Sequence, residues 1–319
     1  MKQYISLFSL LMLSCFVYGQ YFVDETEKER IASSSITYKT IWEHRVKEGK
    51  MSPKGFKASE TSFDAQGNEL EKISYQYSGA LSSKLTSKYD GQGNLIDYQR
   101  FDGRKNKITQ KKSIKHSPDN LKIMEQGTSG SSAFRNIYKY DHNNNLVEIE
   151  YFSDNILTQK RVIAYFSDRR EIQLFKGENT PDGKIVKTID SKGNILEEKK
   201  ISAAGIEVRK FVYTYNSAGK KLSETKYYSG NFREKLEYKY NVNNMLIEIY
   251  TTDSDKKRVK SNILTYDAKN QLIKEQWYNA GKDAYSHKKH TYNSRGDLIQ
   301  TRSFNVSYSS EYVYRYQYE

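Results

Sequence analysis

Apolar and polar residues alternate with a period of two over most of the chain. The segment Lys235-Leu236-Glu237-Tyr238-Lys239-Tyr240 is typical, because every second residue is Leu or Tyr and the others are charged. Successive side chains of a β-strand point to opposite faces of the sheet, so such a segment predicts a strand with its large side chains on one face. No helical period is sustained over a useful length. The pattern predicts an all-β protein.

A recurring phrase separates the predicted strands. An aromatic residue is followed by Asp or Asn, then by two or three residues ending in Gly or Asn, and then by Leu or Ile. Asp, Asn and Gly tolerate the conformations that a tight reversal needs. Looser copies begin at Phe63, Ile189 and Tyr215, and degenerate copies begin at His116 and Tyr165. The positions that define the repeat are Tyr89, Asp90, Gly93, Tyr140, Asp141, Tyr165, Tyr215, Gly219, Tyr240, Tyr266, Asp267, Tyr292 and Gly296.

The copies return about every 25 residues, and a second reversal falls about twelve residues into each unit. One unit is therefore one β-hairpin, and residues 59–319 form the repeat array. We expect a repeat protein, a long antiparallel meander of about ten 25-residue β-hairpins. Open twisted sheets rarely exceed about ten strands without curling, so the expected form is a curled or spiral sheet. The repeat tyrosines should stack as a rib, each ring packed and each hydroxyl on a polar partner.

The phrase resembles the YD repeat of the RHS-like family. The segments that carry the resemblance are Tyr138-Lys139-Tyr140-Asp141, Tyr213-Thr214-Tyr215-Asn216 and Tyr238-Lys239-Tyr240-Asn241. The resemblance implies a spiral strip of hairpins, which in large members closes into a hollow shell around a toxin cargo. We expect a short exported member without the family's core protease segment or toxin domain. MORN-like hairpin repeats have a related pattern.

The N-terminal residues 1–19 read as a signal peptide. Lys2 precedes an apolar run from Ile5 to Leu13 that is too short to span a bilayer, and small residues precede Gln20. Lipid attachment at Cys15 is the alternative. We expect a periplasmic, cell-surface or secreted protein with no membrane span in the mature chain. Residues 20–58 are predicted to form an N-terminal cap, with a strand between Ser35 and Val46 covering the first edge of the array.

Composition narrows the class of protein. The 319 residues contain 52 Lys and Arg against 39 Asp and Glu, and the mean hydropathy is -0.86. These values exclude a multi-span membrane protein. The 28 Tyr, 13 Phe and 2 Trp indicate a folded chain, and the one Cys excludes a disulfide scaffold.

No catalytic or metal-binding pattern stands out. His287 and His290 are three residues apart, which on a strand places them on opposite faces. The segment that begins at Asp141 resembles the start of a calcium loop, but Leu146 and Phe152 occupy positions that need Gly and Glu. We therefore expect a protein that is not an enzyme and needs no metal or cofactor. A hydrolase without a recognisable motif is the alternative.

The sequence favours a non-enzymatic binding module that presents a Tyr-rich, basic β-sheet surface to glycans or other envelope polymers. The best single candidates for ligand contact are Trp277, Tyr278 and Trp42, although packing is the more common role of such rings. Outward lysines would also simply keep a wide sheet soluble, and nucleic acid is not an expected partner. The alternative is a structural shell or envelope component that pairs with another chain through its terminal strand edges, such as Tyr312 to Glu319.

Overall fold

The computed structural model describes residues 27–319, and the expected signal peptide lies outside these residues. Residues 27–33 are helical. Strands make up most of the rest, with one 3-10 turn at Ala280–Lys282. The strands are β1 (Tyr38–Lys47), β2 (Lys50–Met51), β3 (Phe56–Phe63), β4 (Glu69–Tyr75), β5 (Leu81–Tyr89), β6 (Leu95–Asp102), β7 (Lys107–His116), β8 (Lys122–Ser129), β9 (Ser132–Tyr140), β10 (Leu146–Ser153), β11 (Ile156–Tyr165), β12 (Arg169–Lys176), β13 (Thr180–Ile189), β14 (Ile195–Ile201), β15 (Glu207–Tyr215), β16 (Lys221–Tyr228), β17 (Asn231–Tyr240), β18 (Leu246–Thr252), β19 (Arg258–Tyr266), β20 (Leu272–Asn279), β21 (Ala284–Tyr292), β22 (Leu298–Asn305) and β23 (Ser310–Tyr318).

The chain reverses where the repeated phrase predicts. Ten strands end at the first residue of a copy, from β3 at Phe63 to β21 at Tyr292. In the copy after Tyr89, the Asp90 carboxylate accepts hydrogen bonds from the backbone N–H groups of Gln92 and Asn94, both at 2.9 Å. Gly93 has a φ of +81°, a left-handed conformation that favours glycine. The Asp or Asn side chain thus replaces backbone partners inside the turn, which explains why the phrase needs it.

The sheet is closed, so the expected curled or spiral open sheet is wrong. All strands belong to one antiparallel meander, but β1 pairs with both β3 and β23. The backbone N–H of Thr37 donates to the carbonyl of Glu319 at 2.7 Å, and that of Phe63 donates to the carbonyl of Thr37 at 2.9 Å. The strand order therefore forms a ring of twenty-two strands, a β-barrel in topology, and β2 pairs only with β1.

Closure follows from the hydrogen-bonding needs of strand edges. An open meander leaves a row of unpaired N–H and C=O groups at each end, whereas a closed one satisfies both rows. The width of the sheet indicated that it must bend, but not that its ends would meet. β1 also occupies the edge of the terminal strand β23, the strand that was expected to pair with another chain.

Two compact units divide the described residues. The first comprises residues 27–42, Phe56–Ile108 and Tyr316–Glu319, and the second comprises Glu43–Gly55 and Thr109–Arg315. In the first unit, Ile31, Ile36 and Phe63 form a small buried cluster against which Tyr318 packs. In the second unit, Leu236 and Val313 are buried singly within the sheet.

The repeat tyrosines share one hydrogen bond. Each hydroxyl donates to the backbone carbonyl of the first residue of the preceding strand, as Tyr240 does to Lys221 at 2.8 Å. The ladder between β16 and β17 stops at the pair Ser223 and Glu237, so the tyrosine satisfies a carbonyl just beyond the last ladder bond. The same bond is made by Tyr89, Tyr140, Tyr165, Tyr215, Tyr266 and Tyr292.

Candidate ligand-binding surface

The sequence candidates Trp277 and Tyr278 point to opposite sides of the sheet. Trp277 lies opposite Asn262 and Ser286, whereas Tyr278 lies opposite Tyr285. The register places Trp277 on the face that also carries Tyr140, Tyr165, Tyr215, Tyr240, Tyr266 and Tyr292; we call this the tyrosine face of the second unit. The two rings therefore do not form one stacking platform.

Trp42 belongs to β1 in the first unit. Its indole Nε1 donates a hydrogen bond to the side-chain Oε1 of Gln317 at 3.0 Å. The ring is half-buried and its polar atom already has a partner. This contact is what a packing role for Trp42 would produce.

Tyr278 begins a group of rings on the face opposite the tyrosine face. Its ring centroid lies 5.3 Å from that of Tyr285, and its hydroxyl donates to Asp283, which raises the pKa of Tyr278. Tyr285 donates its own hydroxyl to the backbone carbonyl of Lys260 at 2.7 Å. Two residues further along β21, the His287 ring lies 5.4 Å from the ring of Phe304. We call Tyr278, Tyr285, His287 and Phe304 the aromatic row.

Three cations lie beside the aromatic row on the same face. Lys274 lies directly opposite Lys289, and Lys289 lies directly opposite Arg302. Directly opposed residues in an antiparallel sheet have Cβ atoms about 5 Å apart, so like charges are held close together here. We call these three residues the cationic row.

Only one member of the cationic row is neutralised by a carboxylate. The Arg302 guanidinium contacts Glu311 through Nε at 2.5 Å and Nη2 at 3.1 Å, and Nη2 also donates to the carbonyl of Gly49 at 3.2 Å. Within residues 27–319, neither Lys274 nor Lys289 has an acidic partner. The row carries two uncompensated positive charges, and Lys289 is exposed to solvent.

His287 joins the two rows. Burial lowers the pKa of its imidazole, and the charges of Lys289, Lys274 and Arg302 lower it further, against a smaller opposite effect of Glu311. The imidazole is therefore held neutral in the free protein more strongly than an isolated histidine. An anion bound at the cationic row would offset the nearby positive charges and favour protonation.

A Glu-His-Thr arrangement lies on the tyrosine face of the same strands. The His290 ring has Nε2 at 3.6 Å from Glu275 Oε1, and its Nδ1 is 3.0 Å from Thr301 Oγ1. The contacts with His290 and then Lys288 lower the pKa of Glu275 against the opposing effect of burial. Thr301 is only 4% exposed, so its hydroxyl cannot reach a substrate. The arrangement is a polar support across β20 to β22.

Sequence reasoning missed both the cationic row and the Glu275, His290 and Thr301 contacts, because each joins residues on three strands. The sequence did contain a signal for one pair of the cationic row, Lys274 and Lys289. Lys274 and Lys289 are equally distant from the reversal between β20 and β21, which has no bulge. Among residues 27–319, no three His, Cys, Asp or Glu side chains are grouped to hold a metal ion.

No helix within residues 27–319 is both long and apolar enough to cross a membrane. No family model and no curated protein matches the sequence.

Three solved structures show limited similarity to the chain. A porin-like protein from Bacteroides uniformis has 11% identity and a TM-score of 0.33, with 89% of this chain and 96% of that chain covered. A porin-like protein from Bacteroides vulgatus has 10% identity and a TM-score of 0.29, covering 61% and 96%. The Photorhabdus luminescens Tc holotoxin pore has 13% identity and a TM-score of 0.21, covering 80% of this chain but 19% of that one. These values are too low to bear on function.

Proposed function

We propose that this protein is a non-enzymatic binding module that holds an acidic glycan on the aromatic and cationic rows of β20 to β22. The cationic row carries the proposal. Lys274, Lys289 and Arg302 oppose one another directly across three strands, and within residues 27–319 Glu311 is their single carboxylate partner.

The direct opposition of Lys274, Lys289 and Arg302 does not stabilise the sheet. Like charges directly opposite each other are destabilising, whereas an opposite-charge pair contributes roughly 0.2–1 kcal/mol. A Glu at position 289 would pair with both neighbours, yet the chain has Lys there. The arrangement is accounted for by an anion that approaches from solvent and is shared by the three side chains.

The aromatic row supplies the second half of a sugar-binding surface. His287 and Phe304 form the next pair on this face beside Lys289 and Arg302, and Tyr285 follows two residues further along β21. Aromatic rings present apolar faces to the C–H groups of a sugar, while the cations meet its carboxylates. A uronic acid polymer that crosses the strands would meet one cation on each strand.

The expected export of the chain is consistent with this ligand class. A signal peptide over residues 1–19 would deliver the protein to the compartment in which acidic envelope polymers occur. We also propose membership of the YD-repeat (RHS-like) family, on the support of ten reversals that follow its phrase. The alternative of a structural shell component is no longer supported by a free terminal strand, because that strand pairs with β1.

Titration with polygalacturonate at low ionic strength tests the proposal. We expect saturable binding by the wild-type protein, and the double variant Lys274→Gln/Lys289→Gln should bind roughly tenfold more weakly or worse. The binding should also weaken as salt is added, because salt screens exposed charges.

A matched control removes two cations from the same face. Lys235 and Lys239 are both paired with glutamates, and both are more exposed than the glutamates they contact. The variant Lys235→Gln/Lys239→Gln should retain binding within about twofold, since exposed ion pairs contribute little to the fold. Equal weakening by the two double variants, or an absence of saturable binding, would contradict the proposal.

A further inference from the structure

A second group of cations lies on the tyrosine face of β12 to β15. Arg170 lies directly opposite Lys187, and Lys200 lies directly opposite Arg209. Lys187 lies opposite Glu198, which is two residues from Lys200 on the same strand. The four cations therefore form a compact grid around one carboxylate, and we call these five residues the basic grid.

The carboxylate of the basic grid is shared by only two of its cations. Glu198 contacts Lys187 Nζ at 3.2 Å and Arg209 Nη2 at 2.7 Å. Arg170 instead lies over the Tyr165 ring at 5.5 Å and is exposed to solvent. Lys200 has no acidic partner within residues 27–319. Four positive charges against one negative charge leave a local excess of three.

One N–H donor of the basic grid has no partner in the part of the chain that the structure describes. The Nε of Arg209 is buried, and it makes no hydrogen bond even though Nη2 of the same guanidinium contacts Glu198. A buried N–H without a partner is energetically unfavourable, because it has lost its hydrogen bond to water. The grid thus holds an unsatisfied donor beside an excess of positive charge.

The next hairpin shows how this face looks when its charges are balanced. On β16 and β17, Lys226 lies opposite Glu234 and contacts both Glu234 and Glu224, and Lys221 contacts Glu224. Two cations there meet two carboxylates on the same tyrosine face. The basic grid departs from this alternation at two directly opposed like-charge pairs.

We propose that the basic grid is a binding site for a phosphate-class oxyanion with at least two negative charges. Guanidinium groups bind such oxyanions through paired N–H donors, and the local excess of three charges requires more than a single carboxylate to offset it. The site is independent of the glycan surface, because it lies on other strands and on the other face of the sheet.

Calorimetric titration with pyrophosphate at low ionic strength tests this site. We expect one saturable site per chain in the wild-type protein, and at least roughly tenfold weaker binding by Arg170→Gln/Lys200→Gln. The control Lys199→Gln/Lys210→Gln removes two directly opposed cations from the other face of the same strands and should bind as the wild type does. Lys274→Gln/Lys289→Gln should also bind pyrophosphate normally. A failure of the glycan proposal can therefore be distinguished from a failure of the phosphate-site proposal.

Thermal unfolding gives a second readout. Without ligand, Arg170→Gln/Lys200→Gln should melt at or above the wild-type temperature, because it removes like-charge opposition. Pyrophosphate should raise the melting temperature of the wild type and the Lys199→Gln/Lys210→Gln control, but not that of Arg170→Gln/Lys200→Gln. Co-sedimentation with phosphatidylcholine vesicles containing phosphatidic acid distinguishes a lipid headgroup from a free anion as the ligand. Retention on the vesicles that depends on Arg170 and Lys200 would assign a lipid phosphate, whereas no retention would assign a free anion. Equal weakening by both double variants, or no stabilisation of the wild type, would overturn the proposal.

Discussion

Two neighbouring groups of strands differ in whether the cations on one face of the sheet have carboxylate partners. On β17 to β19, the carboxylate of Glu248 is contacted by the ammonium groups of Lys239 and Lys260 and accepts a hydrogen bond from the Tyr250 hydroxyl. On β20 to β22, Lys274 faces Lys289 rather than an acid. The first arrangement is balanced by its own side chains, whereas the second leaves positive charge for a ligand.

A second carboxylate, Glu237, neutralises cations on the same strands. We call Glu237, Glu248 and the cations that they contact the balanced group. Glu237 contacts Arg258 at 3.0 Å and Lys235 at 3.4 Å, so every cation named on β17 to β19 has a carboxylate partner. The contacts with Lys260 and Tyr250 lower the pKa of Glu248 to about 2, against the opposing effect of burial. The charge of a side chain on this sheet is therefore informative only after its partners are known, because carboxylates neutralise the cations named on β17 to β19, whereas Lys274 and Lys289 have no carboxylate partner within residues 27–319.

The largest expected effect is the loss of the acid at the centre of the balanced group. Glu248→Gln leaves Lys260 and Lys239 without their carboxylate, and the free energy of unfolding should fall by about 1–2 kcal/mol. Chemical denaturation monitored by circular dichroism measures this change. The matched variant is Glu311→Gln, which should also lower the free energy of unfolding, because Arg302 then joins the uncompensated cations. A Glu248→Gln protein as stable as the wild type would show that the balanced group contributes nothing.

Acid should remove the contribution of Glu248 to the stability of the balanced group. The pKa of Glu248 in the folded protein is about 2, below its ordinary value. Its contribution to stability is present above the ordinary pKa and is lost as pH falls through the folded pKa. The stability difference between wild type and Glu248→Gln should therefore shrink between about pH 4.5 and 2. The pKa of Glu60 in the first unit is also lowered to about 2, so this difference, and not the wild-type curve alone, isolates Glu248.

The local fold could be predicted from the sequence because its signals are local. The Asp90 side chain bonds within its own turn, and each repeat tyrosine follows the same phrase. The closure of the sheet joins Thr37 to Glu319, and nothing near either residue encodes the other. The order of strands along a meander can be predicted from the sequence, but a contact between its two ends cannot.

The cationic row was hidden by a bulge. From the pair Tyr292 and Leu298, regular counting would place Thr301 opposite Lys289. The register shifts by one residue between Thr291 and Tyr292, so Arg302 lies opposite Lys289. A one-residue shift moves a side chain to the other face, and a sequence reading without the bulge assigns Arg302 to the wrong side.

Replacing Lys289, the middle residue of the cationic row, should change the free energy of unfolding in the opposite direction to the loss of Glu248. Lys289→Gln removes like-charge opposition with both Lys274 and Arg302, so the free energy of unfolding should rise by roughly 0.2–1 kcal/mol. The same variant should bind polygalacturonate more weakly than the wild type. Denaturation and titration of one protein sample measure both effects. A variant that is less stable and binds normally would assign Lys289 to the fold rather than to a ligand.

The smallest expected effect concerns His287, which reports whether the cationic row carries an anion. In the free protein the pKa of His287 is lowered, so its contribution to stability is present above its ordinary pKa and is lost as pH falls through the folded pKa. The charged groups that set it are Lys274 on β20, Lys289 on β21, Arg302 on β22 and Glu311 on β23. A bound polyanion favours the protonated ring, so the affinity for polygalacturonate should increase by about two- to threefold between pH 7.5 and 5.5. His287→Gln keeps the position polar but cannot titrate, and its affinity should be nearly constant over this range. An unchanged pH dependence in His287→Gln would place the ligand away from the cationic row, since no other histidine lies among these groups on that face of β20 to β23.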